Sequence, residues 1–354
     1  MMIIIFLIII FFVLFIDGIS SGIIKRRLDN GQYDLLELRF DKSSTDSLKG
    51  LMAIGIMISH VALNTVDSME GAGEYLRLLL VSLGGVGVAV FFTLSGFGCY
   101  FSVNKRVTDF KSGCKWSGQK ILRMLVIFLL CYVPVGILYL IMGGGWKNFE
   151  FFSDILGFSM PFQTTWYFKI QICFYIIMCL SLIVSKRMIK RFFAVLLLSF
   201  AMIIILRSLS YLTFWWDTAL CFSAGFLLAH LHFNHIINKF YAHRISMMIT
   251  LMILLISYVF TQINCHWIIK ICANALFGLA MIIVFSTSFS SRINEKLGRR
   301  SLEIYLIHVG LIHLFFYQKN EVSIFYIILY IIVSCIIAYL IHYGQKFIFK
   351  ENRL

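Results

Sequence analysis

Apolar runs, most of them near 20 residues long and split by short basic or glycine-bearing connections, constrain this chain more than any motif does. Eleven are legible, at 2–16, 48–66, 78–101, 121–142, 166–185, 192–209, 213–230, 245–262, 267–288, 302–317 and 323–343. A hydrocarbon core about 30 Å thick is crossed by roughly 20 apolar residues in a helix. Only helices and closed barrels satisfy their own backbone hydrogen bonds there. Barrel strands alternate apolar and polar residues over about ten positions, and these runs do not alternate. The composition agrees: 60% of the 354 residues are hydrophobic and 14% charged, against about 25% charged in soluble domains. The expected fold class is therefore all-α and polytopic in a membrane, with about ten core helices plus one extra N-terminal helix. A soluble enzyme carrying a single anchor is excluded.

The run at 2–16 has no basic residue ahead of it and no small-residue cleavage site, so it reads as a retained anchor rather than a cleaved signal. Pro134 and Pro161 are the two prolines of the chain, and no period of 20–50 residues recurs. The expected division is an extra helix and linker at 1–44, one membrane domain at 45–343 and a short basic tail at 344–354.

Charge gives the orientation. The chain carries 31 Lys and Arg and a formal net charge of +14. Twenty-five of these cations lie in alternate connections and the tail: 17–49, 102–123, 186–191, 231–244, 292–300 and 344–354. Cytoplasmic loops collect Lys and Arg, so the expectation is a plasma-membrane protein with its N-terminus outside and its C-terminus in the cytoplasm. Trp166, Trp215, Trp216 and Trp267 then fall at outer helix ends, as an aromatic belt requires. The basic excess is read as facing anionic membrane lipids rather than nucleic acid. Nine cysteines at irregular spacing give neither a disulfide framework nor a zinc pattern.

Three segments hold residues able to carry chemistry. His60 lies about twelve residues into its span. An ionisable group at that depth usually faces the bundle interior and is a functional candidate, although a neutral imidazole bonded to a neighbouring helix is the plainer reading. Lys49, eleven residues earlier, is about 20° off the same helical face and roughly 16 Å along the axis. The second segment, Gly84 to Phe97, has glycines that match no phosphate-binding fingerprint and suit close helix packing. In the third, Leu297 to His308, Tyr305 lies one turn before His308, a second histidine inside a span. The cluster His230, His232 and His235 has no nearby carboxylate or cysteine and reads as interfacial rather than as a metal site. The segment 143–165, with Glu150 and Asp154, reads as lying along the interface, with contact to an acceptor as the alternative.

In this order, the segments resemble the membrane-bound acyltransferase-3 family over about 45–343. Asp46, Leu48, Lys49, Gly50 and His60 are similar to its Asp-x-Leu-Arg-Gly motif and following His. Phe91, Phe92, Ser95, Gly96 and Phe97 are similar to Phe-Phe-x-x-Ser-Gly-Phe. Lys120 to Arg123 is similar to its basic helix start, Trp166, Tyr167, Phe168 and Tyr175 to its Trp-Phe-Leu…Tyr segment, and Gly298, Ser301 and Tyr305 to His308 to its late motif. The basic residue is Lys49 where the family mostly has Arg, so a bidentate anion contact is not implied. A pair of arginines after the Ser-Gly-Phe helix is replaced at best by Lys105 and Arg106.

The resemblance implies transfer of an acyl group, most simply acetyl, from cytosolic acetyl-CoA as co-substrate to a hydroxyl of a carbohydrate. It implies His60 as general base, or as the residue acylated in passing, with Asp46 and Lys49 beside the reaction path. Lys49, Lys105, Arg106 and Arg123 would attract the phosphates of CoA. Ser95, Tyr305 and His308 are candidate donors to the thioester oxygen, with Trp166 a further site candidate and no metal implied. A sugar transporter or flippase using the two histidines for coupling is the rival class, and an inactive scaffold a third. A homo-oligomer and a glycan-assembly complex are both open. The Ile- and Lys-rich composition suits a bacterial genome rich in A and T.

Overall fold

The computed structural model describes residues 2–30, 40–65, 71–141, 165–240, 244–316 and 322–349. These form α1 (Met2–Asn30), α2 (Lys42–Thr65), α3 (Ala72–Arg106), α4 (Phe110–Ile141), α5 (Thr165–Val184), α6 (Met188–Ser208) and α7 (Leu220–Phe233). They continue with α8 (Ile236–Phe240), α9 (Arg244–Gln262), α10 (Trp267–Ser288), α11 (Arg292–Gly298), α12 (Ser301–Phe316) and α13 (Ile324–Ile348). Among the described residues there is no strand, and nine helices are long and apolar enough to cross a membrane. The chain is a polytopic all-α membrane protein. Successive helices run back and forth between a basic end, where Lys49, Arg106, Lys120 and Arg299 lie, and a tryptophan end at Trp166, Trp215, Trp216 and Trp267.

Two of the eleven apolar runs become shorter helices. α12 spans 16 residues, and α7 spans 14. The run expected as a helix over 213–230 begins with a 3-10 turn at Thr213–Trp215, and α7 starts only at Leu220. Non-helical backbone is tolerated at membrane depth where protein covers it, and Trp215, Trp216, Thr218 and Ala219 are all buried. The first run ends later than residue 16, because Asp17 does not stop the helix. Its carboxylate accepts hydrogen bonds from Ser21, at 3.3 Å, and from Ser291.

Small residues set the closest helix contacts, as expected where lipid removes any hydrophobic drive between helices. A Cβ at Gly50 of α2 would overlap the Asn294 carbonyl of α11, and one at Gly298 of α11 would overlap the Asp46 carbonyl of α2. The same reciprocal arrangement joins α3 to α7, with Gly96 against the Phe222 carbonyl and Gly225 against the Thr93 carbonyl. At the basic end α4 opens with a reciprocal cap: the Ser112 amide donates to the Asp109 carboxylate at 2.7 Å, and the Asp109 amide to Ser112 Oγ at 3.1 Å. Those bonds hold the exposed Asp109 carboxyl below the usual carboxylate range.

Helix α1 is docked by polar groups as well as packing. Ser291 Oγ donates to Asp17, Asn294 Nδ2 to the Leu14 carbonyl at 2.9 Å, and the Ser290 amide to the Gly18 carbonyl at 3.0 Å. All three reach the turn and N-terminus of α11, which is itself wedged against α2. All nine cysteines are free thiols; Cys114 and Cys179 meet at 3.4 Å between sulfurs, in contact without a bond. The expected interfacial stretch 143–165 lies almost wholly outside the described residues.

Candidate functional site

The site begins at the paired glycines. Gly50 and Gly298 are where α2 and α11 touch, and in each chain a histidine lies ten residues on. His60 is reached along α2, and His308 along α12 after the turn at Arg299 and Arg300. Their rings lie 5.1 Å apart between centroids. His308 is fully buried.

The partners of His308 define its state. Its Nδ1 lies 3.1 Å from the Ile304 carbonyl; a carbonyl only accepts, so Nδ1 carries the proton and Nε2 is left as an acceptor. That Nε2 is buried with no hydrogen-bond partner among the described residues. Tyr330 donates to the His308 carbonyl at 3.0 Å and so pins the backbone from α13. On the adjoining turn of α2, Ser59 Oγ donates to the Val81 carbonyl of α3 at 2.6 Å, which fixes the depth of His60 against α3.

Aromatic rings wall the pair. Tyr305 lies 5.5 Å from His308 and 4.7 Å from Tyr167, which stacks on Phe92 at 4.8 Å. Trp166 reaches this group at second hand, 6.3 Å from Phe92. The Phe91–Phe92 pair of α3 and the Trp166–Tyr167 pair of α5 therefore join Tyr305 of α12 in one aromatic cluster. Ser95 lies one turn of α3 nearer the basic end, within hydrogen-bonding reach of Cys99 and Tyr175 rather than against the histidines.

The basic end of α2 is a charge network. Lys49 Nζ is 3.1 Å from Asp46 Oδ1, and Arg299 Nε is 4.0 Å from Asp46 Oδ2. Asp46 is buried, and its carboxylate holds Lys49 close to α2 while Arg299 also pairs with Glu295. Lys120 of α4 lies within electrostatic reach of Lys49, Arg106 and Arg123. The structure thus brings Lys49, Arg106 and Arg123 into one cationic region. Lys105 is exposed on the last turn of α3. Arg299 and Lys120 stand in motif segments that the sequence marks, but their place in this network shows only in the packing. Tyr167 is likewise a wall residue identified by contact.

The three clustered histidines of α7 and its following turn go separate ways. His230 Nδ1 is 3.1 Å from the Tyr100 hydroxyl, and His232 Nδ1 is 3.3 Å from Asn238 Oδ1.

A model of the acyltransferase domain of the acyltransferase-3 type matches residues 43–343, which takes in α2 through most of α13. The chain belongs to the acyltransferase-3 family. It is therefore a multi-pass membrane acyltransferase by family, with α1 lying ahead of the matched domain. Searches of curated proteins and of solved structures found no match. Within this acyltransferase, the matched segment holds every residue of the histidine pair, its aromatic wall and the cationic region.

Proposed function

We propose that this acyltransferase moves an acetyl group from acetyl-CoA, entering at the basic end from the cytoplasm, to a hydroxyl of a cell-surface or lipid-linked carbohydrate. The carrying observation is the pair of adjacent imidazoles, His60 and the fully buried His308, 5.1 Å apart between ring centroids, with the cationic region at the basic end of α2. An alcohol is a poor nucleophile until a base takes its proton, and a positioned imidazole contributes about 10²–10⁴-fold. His60 accepts the proton of the acceptor hydroxyl as the oxygen attacks the thioester carbonyl carbon. The carbon–sulfur bond then breaks, and the CoA thiolate takes the proton back from the His60 imidazolium. His308, an acceptor at Nε2, orients the hydroxyl, and Tyr305 is the donor left for the developing oxyanion. Lys49, held by Asp46, acts with Arg106 and Arg123 as a point-charge field for the phosphates of CoA.

The test is mass spectrometry of surface glycans from cells with the gene, without it, and with His60→Ala. Loss of the acetyl increment in both the deletion and His60→Ala cells, with the variant at normal abundance in the membrane, is the expected result. Acetylation within about tenfold of wild type in His60→Ala removes His60 from the role of base, whose loss costs about 10²-fold or more.

A further inference from the structure

At the tryptophan end, on the side of α3 away from α2, lies a cavity of 480 Å³ that the acyl-transfer chemistry does not use. Its floor is Asp217 and Thr218, from the buried irregular stretch before α7. Its walls carry Ser82 of α3, Tyr258 of α9, and Lys270 and Asn274 of α10. At 100° per residue, Tyr75, Leu79, Ser82 and Val86 share the cavity face of α3, while Gly84 and Gly87 lie on the opposite face, against α2. The cavity is therefore about one helix diameter, roughly 10 Å, from the His60 side.

Its polar inventory points to a ligand class. Thr218 is 3% exposed and its hydroxyl has no partner among the described residues, so a buried donor and acceptor waits for one. Ser82 Oγ and the Tyr258 hydroxyl lie 2.9 Å apart, and Asn274 Nδ2 donates to the Asp217 carbonyl at 3.1 Å. Among the described residues the lining carries one cation, Lys270, and one carboxyl, Asp217, on which it acts, so their charges balance. Mixed donors and acceptors without net charge suit a neutral polyol and oppose a phosphate. Leu78, Leu79 and Val86 supply the apolar surface that the C–H face of a sugar ring requires, and the volume falls within the roughly 300–1,000 Å³ of ligand sites.

We propose that this cavity is a glycan exosite, which binds a neutral glycosyl unit apart from the hydroxyl that is acylated. Its role in the reaction rests on the carbohydrate-acceptor reading above; the binding itself does not. Asp217, in the cavity lining, supplies a carboxyl acceptor for a sugar hydroxyl.

The experiment uses the whole protein in phosphatidylcholine nanodiscs, free of sugar-headed detergent, and reads the fluorescence of Trp215 and Trp216 beside the cavity. The probes are methyl glucoside and N-acetylglucosamine, with glycerol and glucose 6-phosphate as controls. Saturable binding of at least one neutral sugar is expected, weakened about tenfold or more by Asp217→Asn and by Thr218→Val. His60→Ala should bind as wild type does. The proposal is overturned if neither neutral sugar binds the wild type, if glucose 6-phosphate binds more tightly, or if folded variants keep full affinity. Ser82→Ala, which removes only one hydroxyl, decides the matter if the other two fail to fold. Sugar binding without acyl transfer overturns the acyltransferase mechanism alone, and acyl transfer without sugar binding overturns the exosite alone.

Discussion

Helices α1 and α2 pack on each other and are opposites in character. α1 is the most apolar of the spans described, yet only 17% of its apolar window is buried; α2 is the least apolar, and 83% of its window is buried. In water that order would be reversed. In a bilayer the lipid is as apolar as leucine, so apolar surface gains nothing by turning inward. Polar and small residues are what must be enclosed, and α2 carries Asp46, Ser47, Gly50, Ser59 and His60 into the bundle. The helix that looks weakest as a membrane span is the one around which the site is built.

The strongest way to break this contrast is at the α2–α11 contact. Gly298→Val sets side-chain atoms against the Asp46 backbone and should cost at least about 3 kcal/mol, read as loss of monodisperse, folded protein. Gly344→Ala, where a Cβ meets nothing within 4 Å, is the matched silent change. A Gly298→Val protein that melts like wild type would show that the contact does not set the register of the two histidines.

Smaller is the effect of Asp17→Ala, which removes the acceptor of Ser291 Oγ while leaving the rest of α1 in lipid. A buried hydrogen bond to a charged group suggests about 1–3 kcal/mol, measured as a lower melting temperature in nanodiscs and faster proteolysis near residue 290. Asp17→Asn, which keeps a carbonyl acceptor, should recover much of the loss. If Asp17→Ala is silent, α1 behaves as lipid-facing ballast and the contrast with α2 is complete. At the small end, Ile9→Val on the exposed face of α1 should change stability by no more than about 0.5 kcal/mol, while Met57→Ala in α2, fully buried, should cost about 2–5 kcal/mol.

Much of this architecture is readable from the chain, because long apolar runs and alternating basic connections are one-dimensional signals. Nine of the eleven runs form helices long enough to span. Of the two exceptions, α7 starts late because the stretch before it is irregular and covered by protein, with Trp215, Trp216, Thr218 and Ala219 buried. The run at 2–16 underestimates α1 because Ser291, one of the two partners of Asp17, is remote in sequence. His60 and His308 are conspicuous as intramembrane ionisable residues, and the equal ten-residue offset from Gly50 and Gly298 is present in the sequence. That the two glycines touch, and that α12 brings His308 beside His60, are facts of packing. Arg299 beside Asp46, Tyr167 between Phe92 and Tyr305, and the cavity lined by Thr218 are likewise invisible to spacing, since each joins elements far apart in the chain.

The bond between Asp17 and Ser291 joins residues 274 positions apart. At about 5–20 residues per second, α1 would be made roughly 15 to 55 seconds before its receptor exists. Through that interval the Asp17 carboxyl has Ser21 of its own helix but not Ser291 as a partner. Completion of α11 would supply the partner, so the clasp closes late in synthesis and reports that the distant segments have reached their places. Newly made protein in which α11 is misplaced would leave Asp17 with Ser21 alone and α1 without its polar clasp.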